Sequence, residues 1–366
     1  MLLIDRPFPS IYAQWRIEEV KSFIIERGAD FLSIASKDAH FDTMRDYYGI
    51  RDYNILIFNP RFNNLNKFNT RLDGTKFNGK FPADFLLTKK ENFILSDYKV
   101  IYHIFYSRWK IFNERFPGVP NAKQFVHLYP GGHMKDLTNI GIPLDVNIIT
   151  TQKYITEFVK QQEYKSYIEV QGACMLQKNH TFIPRKINKG PITVCYAAFG
   201  SPKVKGGDIF RAAAETYKVK YPKDLVNFIS VGECPATKTM KQYGFMKMED
   251  LKKLYNNVDI YVSPERGRIS NGWPLGIEAM LKGSVLITTD TFDARKNHPF
   301  GEDVLIIEKD DVEGIVNYIK QLYMDRQYLN ELSIKIQKGV SEYYSFENQQ
   351  QKIFDFIDSK TEESNG

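Results

Sequence analysis

Short runs of apolar residues alternate with segments of helical periodicity along most of the chain. Near the amino terminus, the apolar run Leu2–Ile4 precedes apolar positions at helical spacing between residues 17 and 24, and a second apolar run follows at residues 31–35. A strand, a helix and another strand in this order form the unit from which parallel sheets are built. We therefore expect a parallel sheet in the amino-terminal half.

Further strands of this sheet are predicted from short apolar runs. They fall at residues 54–58, 100–105, 124–128 and 146–150, and the last of them leads into a predicted helix at residues 153–161. The stretch from Pro60 to Lys90 is rich in Asn, Lys and Phe and contains several Gly, which favours an irregular insertion or a set of loops.

The same alternation restarts in the second half of the chain. Residues 186–191 are polar and contain Gly and Pro, and a new buried strand is predicted at 192–199. After it, strands are predicted at 225–231, 259–263, 285–289 and 304–307, and helices from 207 and at 248–256, 275–282, 312–323, 327–338 and 347–357. The pattern predicts an α/β protein of two doubly wound domains, at 1–188 and 189–345, followed by a final helix and polar tail at 346–366.

Composition agrees with two packed domains in a reducing compartment. The chain has 366 residues, of which 43% are apolar, so a disordered chain or a small peptide module is excluded. Its three cysteines are scattered, and its beginning carries no signal-peptide pattern. No apolar run approaches the roughly 20 residues of a membrane span. We expect a cytoplasmic protein, and the net charge of +6 leaves open an association with the inner face of a membrane.

The segment from residue 257 to 290 carries the densest concentration of features. A buried strand is predicted to end at Ser263, a polar loop follows, and Pro274 stands where the first turn of a helix would begin. Free backbone N–H groups around Gly272, at such a helix start, suit a phosphate group. Glu278, about one turn into the helix, is placed to accept hydrogen bonds from ribose or sugar hydroxyls.

This segment resembles the donor-site pattern of the retaining GT-B glycosyltransferases of the family-4-like group. Three other stretches resemble the same family, in the same order and spacing, so the resemblance spans roughly residues 192–356. The matching stretches are Ala198–Asp208 with its Lys-Gly, Phe228–Pro235, Gly244–Tyr255 and Ser263–Asp290.

The resemblance implies a GT-B fold, in which two Rossmann-like domains face each other across a cleft. The second domain would hold the nucleotide-sugar, the first would hold the acceptor, and the final helix would cross back to the first domain. The residues that the resemblance implies at the donor are Lys203, Lys205, Gly206, Gly232, Phe245, Asn271, Gly272, Trp273, Pro274, Leu275 and Glu278. Of these, Lys205 would stabilise charge on the leaving diphosphate and Glu278 would contact hydroxyls, and we expect both to face a cleft.

Three departures from the family pattern change the expected chemistry. The first of two Glu that usually flank the loop is replaced by Ser270 or, with one deletion, by Asn271. The phosphate-binding Arg has Gly200 and Ser201 near its position, so Lys205, and Lys203 beside it, would carry that charge unless they are ordinary solvated loop lysines. A Gly-Gly turn common after the first strand is replaced by Pro7–Ser10.

A candidate catalytic histidine follows from the amino-terminal half. His127 stands at the end of a predicted buried strand, where the family often has a histidine facing the reacting sugar, although an ordinary half-buried histidine fits the same spacing. His133 lies in the following loop. Tyr129 and the turn at Pro130–Gly132 would shape the same cleft or form a plain reverse turn.

The sequence lacks the features of several other kinds of functional site. The His and Cys residues show no zinc-ligand spacing, no phosphate-binding loop of the ATPase type is present, and no Asp-x-Asp triplet occurs that would hold a nucleotide through a divalent metal. Lys67–Lys90 could touch single-stranded nucleic acid, but no nucleic-acid-binding module surrounds it. We therefore expect neither a metal nor a nucleic-acid partner.

The resulting hypothesis is a metal-independent, retaining glycosyltransferase without a cofactor. It would move a sugar from a nucleotide-sugar, with UDP-sugar favoured over GDP-sugar, to a glycan or lipid-linked acceptor in polysaccharide biosynthesis. Two alternatives stay open: a catalytically silent GT-B-like protein that binds a glycan or a partner, and a nucleotide-sugar epimerase, for which no paired acid and base groups stand out.

Overall fold

The structure is a computed structural model that describes most of the chain. The described residues are 1–5, 19, 22–23, 26–34, 55–58, 95–104, 106–128, 141–151, 153–170, 182–185, 190–198, 202–244, 246, 248–266, 274–290 and 300–363. The chain forms two compact units. The first comprises Met1–Lys178 together with Phe346–Gly366, and the second comprises Asn179–Ser345.

Two parallel sheets organise these units. The strands of the first sheet are β1 (Leu2–Asp5), β2 (Asp30–Ile34), β3 (Ile55–Phe58), β4 (Ile101–His103), β5 (Gln124–Leu128), β6 (Asn147–Thr150) and β7 (Ser166–Glu169), in the order β3-β2-β1-β4-β5-β6-β7. The strands of the second are β8 (Ile192–Ala198), β9 (Val226–Gly232), β10 (Met240–Tyr243), β11 (Ile260–Ser263), β12 (Val285–Thr289) and β13 (Leu305–Ile307), in the order β10-β9-β8-β11-β12-β13. In each sheet the strand order reverses beside the first strand, the arrangement that places ligands at the carboxyl ends of strands in doubly wound proteins.

Helices connect the strands of both sheets. They are α1 (Ser107–Arg115), α2 (Lys153–Gln161), α3 (Pro202–Lys205), α4 (Gly207–Lys220), α5 (Met248–Tyr255), α6 (Pro274–Met280), α7 (Val312–Met324), α8 (Arg326–Tyr343) and α9 (Phe346–Glu363), with short 3₁₀ turns at Leu95–Asp97, Asn121–Lys123 and Gly301–Asp303. Residues 19, 22–23 and 26–27 are also helical. No helix in the described ranges is both long and apolar enough to cross a membrane.

Helix α9 packs within the first unit through aromatic contacts. The Phe354 ring lies 5.1 Å from the Phe23 ring, and the Phe356 ring lies 5.8 Å from the Phe125 ring of β5. Near the end of α9, Asp358 accepts two hydrogen bonds from the Arg27 guanidinium, at 2.8 and 3.0 Å. Burial of these aromatic rings is the main attraction, because each removes a large apolar surface from water.

The junction between the units falls at Lys178–Asn179, whereas the polar composition predicted a boundary at 188. Ile183 and Arg185, which lie between these positions, bond to other residues of the second unit. The Arg185 backbone N–H donates to Gln337 Oε1 at 3.0 Å, the Gln337 side chain donates to the Ile183 carbonyl at 3.0 Å, and Arg185 pairs with Asp259 at 2.9 Å. A polar composition is typical of a linker, and it does not reveal that the polar groups of Ile183 and Arg185 are hydrogen-bonded within the second unit.

Most of the predicted elements are present, and the two-domain α/β fold class is confirmed. Strand β12 and helix α2 have the predicted bounds, and the second half shows the predicted alternation with shifts of one or a few residues at element ends. Helix α1 and strands β7 and β10 were not predicted. Both strands lie at the edges of their sheets, where a half-solvated strand carries fewer apolar residues and so a weaker pattern. The predicted loops at Pro60–Lys90 lie outside the described residues.

Candidate functional site

An ion pair lies beyond the carboxyl ends of two neighbouring strands of the second sheet. Strands β8 and β11 are adjacent, so the segments that follow Ala198 and Ser263 emerge at the same edge. There the Lys205 ammonium donates to Glu265 Oε1 at 2.9 Å, with 26% of the lysine side chain and 6% of the glutamate side chain exposed. The ion pair offsets part of the cost of burying these two charges, which keeps Lys205 at this edge.

Close packing of two backbone segments brings the ion pair together. Gly206 has a φ of 75°, and a Cβ added there would lie 2.0 Å from the Pro264 carbonyl oxygen. Beside this contact, the Arg266 backbone N–H donates to the Val204 carbonyl at 2.8 Å. Only glycine fits this approach and this backbone conformation, so Gly206 has a structural requirement independent of its predicted contact with a phosphate.

Arg266 is a second cation at this edge, which the sequence analysis did not identify. Its guanidinium donates to both carboxylate oxygens of Asp208 at 2.8 Å and also pairs with Asp310. The hydrogen bond from Arg266 is the largest influence on Asp208 and lowers the pKa of that carboxyl. The Arg266 guanidinium also donates to the backbone carbonyl of Lys203, whose side chain is exposed. Two carboxylates therefore compensate the charge of Arg266, whereas Lys205 has one.

Glu278 lies in helix α6 and is buried, which corrects the expectation that it faces an open cleft. Only 6% of the residue is exposed, and neither carboxylate oxygen has a hydrogen-bond partner among the described residues. Burial raises the pKa of Glu278 to about 8, against a smaller opposing influence of Lys252. The carboxyl group is therefore mainly protonated at neutral pH, and a ligand hydroxyl that donated to it would stabilise its ionised form.

Tyr261 is a buried residue of β11, the strand that precedes the ion-pair residue Glu265 in the sequence. Burial raises the pKa of its phenol well above the usual value, and that pKa is raised further by the ionisable groups of Cys195, Tyr196, Glu265 and Glu278. The Tyr261 hydroxyl donates to the Ala197 carbonyl at 2.9 Å, which links β11 to the end of β8. The structure thus places the Lys205–Glu265 pair beyond the carboxyl ends of β8 and β11, and the buried carboxyl group of Glu278 in helix α6.

The other predicted donor residues divide into described and undescribed positions. Gly232 ends β9 with a φ of 77°, and Pro274 begins α6, as the sequence predicted. Leu275 is half-buried in the first turn of α6. The residues Phe245, Asn271, Gly272 and Trp273 lie outside the described part of the chain, so their predicted roles stay predictions.

His127 belongs to a buried hydrogen-bonded triangle in the first unit. Its Nδ1 lies 2.9 Å from Glu19 Oε1 and 2.7 Å from the Tyr102 hydroxyl, and that hydroxyl lies 2.8 Å from the same oxygen of Glu19. All three residues have no exposed surface. Burial, followed by Glu19, raises the pKa of Tyr102 well above its usual value, so its hydroxyl stays protonated.

The triangle holds the His127 ring in one orientation. The Tyr102 hydroxyl donates to Glu19 Oε1, and His127 Nδ1 lies within hydrogen-bond distance of both oxygens. A carboxylate only accepts hydrogen bonds, so its contact with Nδ1 favours the tautomer with the proton on Nδ1. Glu19 and Tyr102 were missed, although Glu19 precedes the apolar Phe23 by one helical turn and so lies on the same buried helix face. His133 and residues 129–132 lie outside the described part.

The described residues contain no group of three or more His, Cys, Asp or Glu side chains that could hold a metal ion. Of the three cysteines, Cys195 and Cys234 are buried free thiols, as expected of small interior residues, and Cys174 lies outside the described ranges.

Part of the chain matches a known protein family model. Residues 190–325 match the family model of glycosyl transferases group 1. This range contains Lys205, Glu265 and Glu278. No curated protein is similar enough in sequence to this chain to count as a match.

Solved structures are similar over nearly the whole chain. HepE of Anabaena, in a structure with UDP and glucose, has a TM-score of 0.68 and 14% identity over 98% of this chain and 99% of that chain. A mutant of TarM from S. aureus, solved with Fondaparinux, alpha-GlcNAc-glycerol and UDP, has a TM-score of 0.64 and 12% identity over 98% and 99%. Sucrose-phosphate synthase from Thermosynechococcus elongatus has a TM-score of 0.63 and 12% identity over 98% of each chain. Together with the family match, these similarities confirm the resemblance recognised from sequence: the chain has the two-domain, Rossmann-like GT-B fold, and its residues 190–325 match the model of glycosyl transferases group 1.

Proposed function

We propose that the chain is a glycosyltransferase (EC 2.4) that transfers a hexose from a nucleotide-sugar to a glycan or lipid-linked acceptor, with retention of configuration. The observation that carries the proposal is the Lys205–Glu265 pair, at the carboxyl edge of the sheet in the segment that matches the family model. Ligands of doubly wound sheets bind at this edge.

Each group has a role in sugar transfer. Breaking the bond between sugar and diphosphate leaves negative charge on the β-phosphate, which the Lys205 ammonium stabilises without a metal ion. Glu278 accepts hydrogen bonds from ribose or sugar hydroxyls. His127, with Glu19 holding its Nδ1 proton, acts through Nε2 beside the reacting sugar. A role for Lys203, Gly206, Gly232 and the undescribed residues of the loop before Pro274 in binding the donor belongs to the same proposal.

UDP-sugar is the favoured donor, because HepE is solved with UDP-glucose and TarM with UDP. A glycan acceptor is favoured by the glycan compounds in the TarM structure. We place the activity in the cytoplasm, with a membrane-proximal acceptor that suits the net charge of +6. The proposed process is polysaccharide biosynthesis.

A thermal-shift screen of UDP-, GDP-, ADP- and dTDP-sugars, followed by measurement of nucleoside diphosphate release, tests the proposal. A donor at 100 times its dissociation constant stabilises the fold by about 2.7 kcal/mol, a readily measured shift. Stabilisation with turnover supports the enzyme. Stabilisation by a nucleotide-sugar without turnover, with or without acceptors, supports the silent binding protein, which the replacement of the first Glu by Ser270 or Asn271 favours.

A further inference from the structure

Glu265 has no role in the proposed mechanism so far, yet it makes the ion pair with the lysine on which that mechanism depends. We propose that Glu265 is a positioning residue that holds the Lys205 ammonium where the donor diphosphate binds. This inference rests on the proposed function, and it assigns a role to a residue for which the family resemblance implied none.

The backbone of Glu265 is anchored on both neighbouring strands. Its N–H donates to the Ser263 carbonyl at 2.9 Å, and its carbonyl accepts from the Thr289 hydroxyl at 2.7 Å. Ser263 ends β11 and Thr289 ends β12, and both residues are buried. Glu265 therefore presents its carboxylate from a rigid part of the sheet edge.

Lys205 is a residue that needs such an anchor. It ends the four-residue helix α3, and 26% of its side chain is exposed. A lysine side chain has four rotatable bonds, and restricting them costs rotamer entropy. The contact with Glu265 restricts those rotamers before a donor binds, so that cost does not fall on the binding or reaction step.

The same contact leaves Lys205 able to bind a phosphate. An ammonium has three N–H donors, and the structure shows one of them used by Glu265 Oε1. The remaining donors can point at diphosphate oxygens while the ion pair persists. Glu265 Oε2 is buried and has no hydrogen-bond partner in the described ranges, so the carboxylate does not draw a second cation from those residues to this point.

The chain provides a matched control for this pair. Lys320 and Asp224, also in the second unit, form an ion pair at 2.8 Å with 26% and 15% of their side chains exposed. Asp224 precedes β9, so this pair lies at the amino edge of the sheet, opposite the carboxyl edge where Glu265 lies. Loss of the Asp224 charge tests what removing a half-buried ion pair does to the unit in general.

The experiment is a double-mutant cycle on the full chain, with turnover of the nucleotide-sugar that the thermal screen selects. Glu265→Ala should lower kcat by about 10-fold or more, because a misplaced charge loses most of its effect on the transition state. Glu265→Gln should retain most of kcat, since its amide oxygen still accepts from the ammonium. The double variant Lys205→Ala/Glu265→Ala should be no slower than Lys205→Ala alone. Asp224→Asn should leave kcat unchanged.

The outcomes separate this inference from the function on which it rests. If the parent protein neither binds nor turns over any nucleotide-sugar, both the proposed function and the role of Glu265 are wrong. If the parent is active, two results would contradict the role of Glu265 alone. One is a folded Glu265→Ala variant with unchanged kcat. The other is a double variant in which the effects of the two alanine substitutions on kcat multiply. If Glu265→Ala does not fold, Glu265→Met replaces it in the cycle, because methionine fills the buried volume without accepting a hydrogen bond from the ammonium.

Discussion

The imidazole of His127 lies 2.9 Å from the carboxylate of Glu19, in the interior of the first unit. The two residues are far apart in the sequence, and neither has any exposed surface. Since Tyr102 completes the contact, the histidine ring is held in one orientation, and the carboxylate favours the proton on Nδ1. Under the proposed function, this arrangement presets the nitrogen that acts at the reacting sugar.

The first prediction separates the catalytic part of the triangle from its supporting part. His127→Ala should lower kcat by about 10²-fold or more, the usual contribution of a positioned proton-transfer group. Tyr102→Phe removes only a hydroxyl and should cost about 1 kcal/mol of unfolding free energy, with a much smaller loss of kcat. Urea denaturation and initial rates measure the two effects. Equal rates for His127→Ala and the parent would show that the histidine is only structural.

The second prediction concerns the effect of Lys205 on both activity and stability. Lys205→Ala should lower kcat by about 10²-fold, the scale for losing an electrostatic group at the transition state. It also leaves the buried Glu265 carboxylate without its cation, so it should lower the unfolding free energy by about 1–3 kcal/mol. Removing Glu265 as well should restore part of that stability, because no unpaired charge is then buried. Unchanged stability of the single variant would contradict the burial of this pair.

The third prediction is a pH dependence of stability that arises from Glu278. Its pKa of about 8 in the folded protein lies above the ordinary value of 4.5, so between these values the folded state holds a proton that the unfolded state has released. The contribution of Glu278 to the unfolding free energy is therefore fully present below pH 4.5. It is lost as the pH rises towards 8, by up to about 1.4 kcal/mol per pH unit. Glu278→Gln should lack this part of the slope. Unfolding free energies of both proteins at pH 5, 6, 7 and 8, compared pairwise, measure it, and parallel curves would show that Glu278 does not titrate in this range.

Donor binding should show the opposite dependence on pH. Hydroxyl groups donate to the ionised carboxyl, so donor binding draws the proton from Glu278 and should strengthen as the pH rises from 6 to 8. Glu278→Gln should weaken donor binding by about 1–3 kcal/mol at pH 8, the range for a charged hydrogen bond, and should abolish the pH dependence. Calorimetric titration with the selected nucleotide-sugar gives both quantities. A pH-independent affinity in the parent would place the donor hydroxyls elsewhere.

Particular elements show how much of this arrangement the sequence predicts. Strand β12 was predicted with its observed bounds because Val285–Thr289 is a continuous buried run flanked by polar positions. The fold class followed from the alternation of elements and the family resemblance, and that resemblance also implied roles for Lys205 and Glu278. Burial of Glu278 did not, because an acidic residue in a helix gives no sign of how its neighbours cover it.

Partners that are distant in sequence were the main omission. Glu265 follows a predicted strand directly, and Glu19 lies on a predicted apolar helix face, so each was visible as a charged residue at an unusual position. Their contacts with Lys205 and His127 depend on which strands become neighbours in the sheet and on a close approach such as that of Gly206 to Pro264. Local patterns do not contain that information.

A further prediction is that activity does not depend on a divalent metal. It rests on the lysine at the proposed diphosphate site and on the lack of an Asp-x-Asp triplet in the sequence. Dialysis against EDTA should leave the initial rate unchanged. A rate that disappears with the chelator and returns with Mn²⁺ or Mg²⁺ would transfer the stabilisation of the leaving group from Lys205 to the metal.

The most direct measurement of the central claim is nucleoside diphosphate release by the purified chain, from each nucleotide-sugar that stabilises it, with a panel of glycan and lipid-linked acceptors. Parent protein, Lys205→Ala and Asp224→Asn are assayed side by side. The account predicts acceptor-dependent release by the parent and by Asp224→Asn, and a loss of about 10²-fold in kcat for Lys205→Ala. Equal release by Lys205→Ala and the parent would contradict it, and so would a parent that binds no nucleotide-sugar and releases no diphosphate with any acceptor.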